Sequence, residues 1–207
     1  MAYIDFPIAA LETEEFCLSP EAMWAWEEKC FQLAPETLAG SEDFLEIYAR
    51  TLCANNADSE RYPRPGFISP RIRDYKLKPD YLNYKAYLQG IKLEYERKTH
   101  VPLDESLEPI PKYNSKQLKF YDNAVMKVAR GRRFFATKEG RIGFGPSDMQ
   151  IGDQVCVFFY CPTLYLIRGD NIEKTFVGEA YVDGLMYGEA LEMFERGDFK
   201  ETSWVIC

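Results

Sequence analysis

Beyond Gly131 the hydrophobic period of this chain changes from three and four residues to two, and glycines begin to recur every few positions. The two regimes dictate different structures. Spacing of three and four places apolar side chains along one stripe of a helix, whereas alternation places them on one face of a strand. Residues 133–137, 141–144, 155–160, 164–168 and 175–182 read as short strands. Lys138-Glu139-Gly140, the stretch from Pro146 to Gly152, and Gly169-Asp170-Asn171 separate them as turns. Five short twisted strands within roughly 60 residues are best satisfied by a small barrel or rolled sheet, because closure removes the unpaired edges of a flat one.

The chain before Gly131 is helical in pattern. Ser19 is placed to cap a helix with Pro20 at its first position, and Met23, Trp26, Cys30 and Leu33 follow at helical spacing. Phe44, Ile47, Tyr48 and Leu52 predict a second helix ending near Asn55-Asn56. Tyr81, Tyr84, Leu88, Ile91 and Tyr95 predict a third, and Leu118, Tyr121, Val125 and Val128 a fourth that Gly131 terminates. The prolines of Arg61-Tyr62-Pro63-Arg64-Pro65-Gly66 predict a loop, and those of residues 99–111 a linker. The fold class expected is α+β, an amino-terminal helical part followed by a small antiparallel rolled sheet or barrel. Its divisions are residues 1–111 and 112–207, or a single compact domain overall.

A chain of 207 residues that is 46% hydrophobic, with 14 Phe and 14 Tyr, can bury a substantial core. No apolar run approaches the ~20 residues a membrane helix needs, and residues 1–15 lack the basic start of a secretory signal. A soluble cytoplasmic protein without a membrane partner is expected. The six cysteines include no CxxC pair and His100 is the only histidine, so the residues offer no zinc spacing and no metal is expected. The cysteines read as small buried hydrophobes, Cys156 foremost because its strand is apolar on both faces. Neither a phosphate loop nor a dinucleotide fingerprint, nucleophile elbow or His-Glu-x-x-His site is present, and no cofactor is expected.

Charge is unevenly laid out. Residues 1–60 carry 13 acids and 2 bases, residues 61–141 carry 9 acids and 19 bases, and residues 142–207 carry 11 acids and 4 bases, giving the net −8. A basic middle between acidic ends predicts that the ends pack near the middle and soften its field. The bases around Tyr75, Tyr81, Tyr84, Tyr87 and Tyr95 suit a nucleic-acid surface in composition. However, the tyrosines fall at core-facing spacing and the bases between them, as on a solvated face, so nucleic acid is disfavoured as a partner.

The stretch 132–191 also carries a set of motifs: Arg132-Arg133-Phe134-Phe135-Ala136-Thr137, Gly143-Phe144-Gly145-Pro146, Gly152-Asp153-Gln154-Val155, Ile167-Arg168 and Val177-Gly178-Glu179-Ala180-Tyr181-Val182-Asp183-Gly184-Leu185-Met186-Tyr187-Gly188-Glu189. Together these resemble the carboxy-terminal region of fungal heterokaryon-incompatibility (HET) family proteins. Arg50-Thr51-Leu52 resembles a segment of the helical spacer that precedes that region. Asp183 stands where the family often has His, and Leu164 where it often has Pro. The Trp-Gly and Ile-Asp-x-x-Cys-Ile-Asn-Gln type motifs of the amino-terminal HET domain are absent from this sequence, so the resemblance does not carry cell-death activity with it.

The glycines of these motifs read as turn and close-approach positions. Among the polar residues, Glu179 and Tyr181 share one face of a strand by alternation, with Asp183 just beyond. If that face lines the barrel, Glu179, Tyr181, Asp183 and Arg168 are the candidate acid–base and anchoring groups, with Arg133, Asp153 and Glu189 as candidate binding residues. The structural counterpart is an Arg168–Glu179 pair closing the sheet, with Asp153 capping a turn. The resemblance implies a protein-interaction or regulatory module in fungal self/non-self or stress signalling, standing without the amino-terminal HET domain. The alternative is a small cofactor-independent enzyme of fungal secondary metabolism, an isomerase, cyclase or hydrolase, working on a small apolar ligand.

Overall fold

The structure, a computed structural model, describes residues 2–11, 19–34, 38, 44–55, 76–99, 113–158, 161, 163–169, 173–198 and 201–206. The loop and linker expected at residues 61–66 and 99–111, together with His100, Cys17 and Cys207, fall mostly or wholly outside them; Thr99 alone is described, as the last residue of a helix.

Six strands close an antiparallel barrel. They are β1 (Ala2–Leu11), β2 (Arg132–Thr137), β3 (Ile142–Pro146), β4 (Gln154–Val157), β5 (Leu164–Arg168) and β6 (Glu173–Val182). The order around the ring is β1-β2-β3-β6-β5-β4, closed by β4 against β1. The five strands expected from alternation are present. The sixth, β1, comes from a segment assigned to the helical part and sits between β2 and β4. Its register shifts between Ala2 and Phe6 and again between Ile8 and Ala10, and Pro7, which has no N–H to donate, lies between the two irregularities. A short strand β7 (Val205–Ile206) adds in parallel to the start of β6.

The two sides of the barrel wall have different neighbours. Ile8, Phe135, Val155, Leu164, Leu166, Ala180 and Val182 point inward and pack together with Met149 and Leu185. Phe134, Ala136, Ile142 and Phe144 point outward into the helical layer. Two glycines of β3 make the inner packing possible. A Cβ at Gly143 would overlap the Tyr181 carbonyl oxygen, and one at Gly145 would lie 2.6 Å from Met149 Sδ and 2.7 Å from Leu166 Cδ1. The Gly143-Phe144-Gly145 spacing therefore puts bulk outside and none inside, as strand alternation requires.

Among the described residues four helices build the outer layer: α1 (Pro20–Leu33), α2 (Phe44–Leu52), α3 (Lys78–Thr99) and α4 (Ser115–Ala129). A fifth, α5 (Glu189–Glu195), follows the barrel. Ser19 caps α1, accepting the Ala22 amide, and Asn114 caps α4. The start of α3 is held from another helix, since the Glu46 carboxylate accepts the amides of Leu77 and Lys78 at 2.7 and 2.9 Å. A cap of this kind contributes about 1 kcal/mol. The core between helices and barrel is aromatic. Tyr48 meets Phe134 and Tyr81 at ring distances of 6.0 and 5.3 Å, and Trp26 stacks near Phe144. Truncating a fully buried ring such as Phe134 to Ala would cost about 3–5 kcal/mol.

Candidate functional site

The sequence candidates separate into two clusters. The first fastens the β3–β4 turn. Asp153 is buried, and its carboxylate accepts the Gln150 amide at 2.7 Å and the Arg168 guanidinium at 2.8 and 2.9 Å. Arg168 also donates to the Asp148 carbonyl, and Arg133 donates to the carbonyls of Ser147 and Met149. The bond to Asp153 raises the Arg168 pKa. Asp153 caps a turn, as expected, but the partner of Arg168 is Asp153 and not Glu179.

Glu179 is exposed, opposite Tyr165 of β5. Glu179 and Tyr181 do share one face of β6, but it is the outer face, since Ala180 and Val182 fill the interior. Only one end of that face is covered by helices. Tyr181 lies under the cover and Glu179 beyond it, so the expected convergence of Glu179, Tyr181, Arg168 and Asp153 inside the barrel does not occur.

The second cluster forms a cleft of about 530 Å³ where the end of α2, the turn after β6 and α5 meet. Arg50 of α2 forks onto Asp183, Nε to Oδ1 at 3.0 Å and Nη2 to Oδ2 at 2.9 Å. Tyr181 donates its hydroxyl to Asp183 Oδ1 at 3.2 Å. Burial, with the Asp183 charge next, holds the Tyr181 pKa well above that of a free phenol, and the hydrogen bond to Asp183 raises that of Arg50. The chain leaves α2 through Ala54 and Asn55, both at positive φ, which brings Asn55 Nδ2 to the Tyr187 hydroxyl at 2.9 Å. Asn tolerates this conformation; Ala does so at a cost. Glu189 accepts the Tyr187 amide at 2.7 Å at the head of α5. Arg141 lies across the cleft with Nη2 3.6 Å from Met193 Sδ, its pKa lowered by burial.

Three of the seven candidates, Tyr181, Asp183 and Glu189, thus come together, joined by Arg50, Asn55, Arg141, Tyr187 and Arg196, none of which was singled out as a site residue. Arg50 carried a usable signal, because it is one of only two bases in the first 60 residues. With both Asp183 oxygens accepting hydrogen bonds, the pair acts first as a clamp between α2 and the barrel. Among the described residues no group of His, Cys, Asp and Glu is arranged to hold a metal ion. No helix among them is long and apolar enough to cross a membrane.

A closed six-strand barrel with a helical layer on one side, tied together by Arg50 and Asp183, defines an α+β barrel module. Residues 80–201 match the model of the Het-6 beta-barrel domain, and the chain belongs to this family. It is 42% identical over 79 residues to heterokaryon incompatibility protein 6, OR allele, of Neurospora crassa. That similarity covers 36% of this chain and 12% of the Neurospora protein. No solved structure matches the chain.

Proposed function

We propose that this chain is a protein-interaction or regulatory module in fungal self/non-self or stress signalling, cytoplasmic and independent of any cofactor, and that it binds a protein partner through the outer wall of the barrel. One observation carries the reading. Phe158 just past β4, Tyr165 of β5 and Phe176 of β6 stand in a row, with ring centroids 5.2 and 5.3 Å apart, on strands other than β2 and β3, whose outward side chains meet the helical layer. Phe176 is 46% exposed. Phe158 and Tyr165 are half-buried beside it, and a partly exposed aromatic cluster of this kind suits a protein contact site. The side chains packed inside the barrel support the same reading, because they leave recognition to its outer surface.

The test is site-specific photo-crosslinking in the native host, with a benzophenone side chain at position 176 and, as control, at the exposed Lys98. A discrete adduct formed from 176 and absent from 98, whose purified partner binds Phe176→Ala at least tenfold more weakly, supports the proposal. Adducts that are the same from both positions overturn it.

The cleft favours a second reading, a small isomerase, cyclase or hydrolase working at Tyr181, Asp183 and Glu189. It predicts that a panel of small esters and lactones is turned over by the wild type and not by Asp183→Asn, with both proteins equally folded.

A further inference from the structure

Twice in its helical layer the molecule seats a cation between an aromatic ring and a carboxylate. Lys92 Nζ lies 4.8 Å from the Trp24 ring centroid and 2.8 Å from Glu28 Oε1. Lys85 Nζ lies 4.0 Å from the Phe31 ring centroid, and its charge faces the buried Glu27 carboxyl. The barrel wall carries two of these three parts. Phe158, Tyr165 and Phe176 supply the rings. Glu179 stands directly opposite Tyr165 in the β5–β6 register, exposed on the same outer face. Among the described residues no lysine or arginine lies over these rings or pairs with Glu179. Given the barrel wall as a protein contact surface, on which this rests, we propose that the missing part comes from the partner. The wall binds a partner segment bearing a lysine or arginine, whose cation sits against the Tyr165 and Phe176 rings with Glu179 as its counter-ion.

The bases of this part of the chain are engaged elsewhere. Residues 142–207 hold 4 bases against 11 acids. Arg168 forks onto Asp153, and Arg196 onto Asp198. Lys174, two residues before Phe176, is 4% exposed, and its ammonium donates to Gln154 Oε1 at 2.9 Å and to the Gly169 carbonyl. The fourth, Lys200, lies outside the described residues. Over its whole length β6 carries two acids, Glu173 and Glu179, and this one base, so its charge sums to −1. Both glutamates are exposed while the lysine is buried, so the sign the strand presents to a partner is negative.

Three kinds of partner segment would meet this surface differently. A purely apolar one would use the rings but strip water from Glu179 without replacing it, which costs free energy. An acidic one would be repelled. A cationic one gains from both features, because a ring face attracts a cation within about 6 Å of its centroid and the carboxylate accepts a charge-assisted hydrogen bond.

The test is selection of short random peptides displayed on phage against the whole immobilised chain, keeping those whose binding falls at least tenfold with Phe176→Ala. These peptides are expected to carry lysine and arginine about twofold or more above the starting library. The best of them, synthesised, should bind Glu179→Lys about fivefold more weakly than wild type, an exposed ion pair having been replaced by repulsion. Glu195→Lys, which changes net charge equally on the exposed face of α5, should bind it as wild type does. Changing the critical lysine or arginine of the peptide to glutamate should restore binding to Glu179→Lys, an exchange that a folding defect could not produce. Peptides sensitive to Phe176→Ala but not enriched in bases, or bound equally by Glu179→Lys and wild type, overturn the cationic partner and leave the wall as a contact surface. A selection that yields no peptide sensitive to Phe176→Ala also overturns it, and crosslinking from position 176 then decides the contact surface separately.

Discussion

Arg50 and Asp183, 133 residues apart in sequence, meet in a two-point fork that joins the last turn of α2 to the end of β6. The carboxylate side chain is 11% exposed and the guanidinium 25%. Arg50→Met leaves that carboxylate without its counter-ion and is expected to cost about 1–3 kcal/mol, less than a fully buried pair because solvent reaches the guanidinium. The double variant Arg50→Met with Asp183→Asn should recover part of the loss. Urea unfolding of the four proteins measures this, and strict additivity would show that the pair does not couple helix and barrel.

Gly143 and Gly145 are adjacent inward positions that tolerate a methyl group to different degrees. At Gly143 the obstacle is the backbone oxygen of Tyr181, which cannot turn aside; at Gly145 it is the ends of the Met149 and Leu166 side chains. Gly143→Ala is expected to cost about 3 kcal/mol or more and Gly145→Ala about 1–2 kcal/mol. Denaturation midpoints in the reverse order would contradict the inward packing described for β3.

Glu27 confers a pH dependence of known sign. Its folded-state pKa is raised above the usual 4.5, chiefly by burial, so the proton is held more tightly in the folded chain. The resulting stability is fully present below the unfolded pKa and is lost as pH rises through the folded one. Glu27→Gln keeps an acceptor for the Tyr81 hydroxyl but cannot ionise. Its stability relative to wild type should therefore increase from pH 4 upward and level off above the folded pKa of Glu27; a difference independent of pH would refute the shift.

The cysteines should differ in reactivity. Cys156 is buried, donates to the Tyr165 carbonyl, and has its pKa pushed up to about 12 by burial. Cys30 and Cys53 are also buried, whereas Cys161 is exposed. Iodoacetamide at pH 8, read by peptide mass spectrometry, should modify Cys161 in minutes and the other three only at the rate of unfolding, because the thiolate is the reactive form. Rapid native modification of Cys156 would contradict its place in the wall.

The sequence made the helices and five of the strands legible because their signals are local. Ser19 caps the helix that begins at Pro20, the Tyr81 to Tyr95 stripe repeats within one helix, and Gly131, at φ 67°, ends α4 where expected. Strand β1 was not legible. Pro7 interrupts its alternation, and its partners, Val155 and Thr137 among them, lie more than a hundred residues away. The site was legible in part for a related reason. Alternation correctly placed Glu179 and Tyr181 on one face, but which side of a curved wall that face becomes depends on closure, and what covers it depends on α2. Tyr187 and Asn55 meet because Ala54 and Asn55 take up positive φ; Asn55 is a residue that suits such a helix end, but nothing in the local pattern announces it at Ala54.

The place of β1 in the ring also bears on biosynthesis. The helices and strands of residues 20–146 can begin to assemble as they emerge, but the gap between β2 and β4 receives its strand from residues made before any of them. Those ten residues can pair along one edge once β2 has been made, but their other edge stays open until β4 follows. Long-range pairing of this kind is slow and leaves edges open in the interval. The nascent chain therefore passes through a stage in which β1 is held along one edge at most and the barrel is open, a stage open to capture by a chaperone or by another copy before the ring closes.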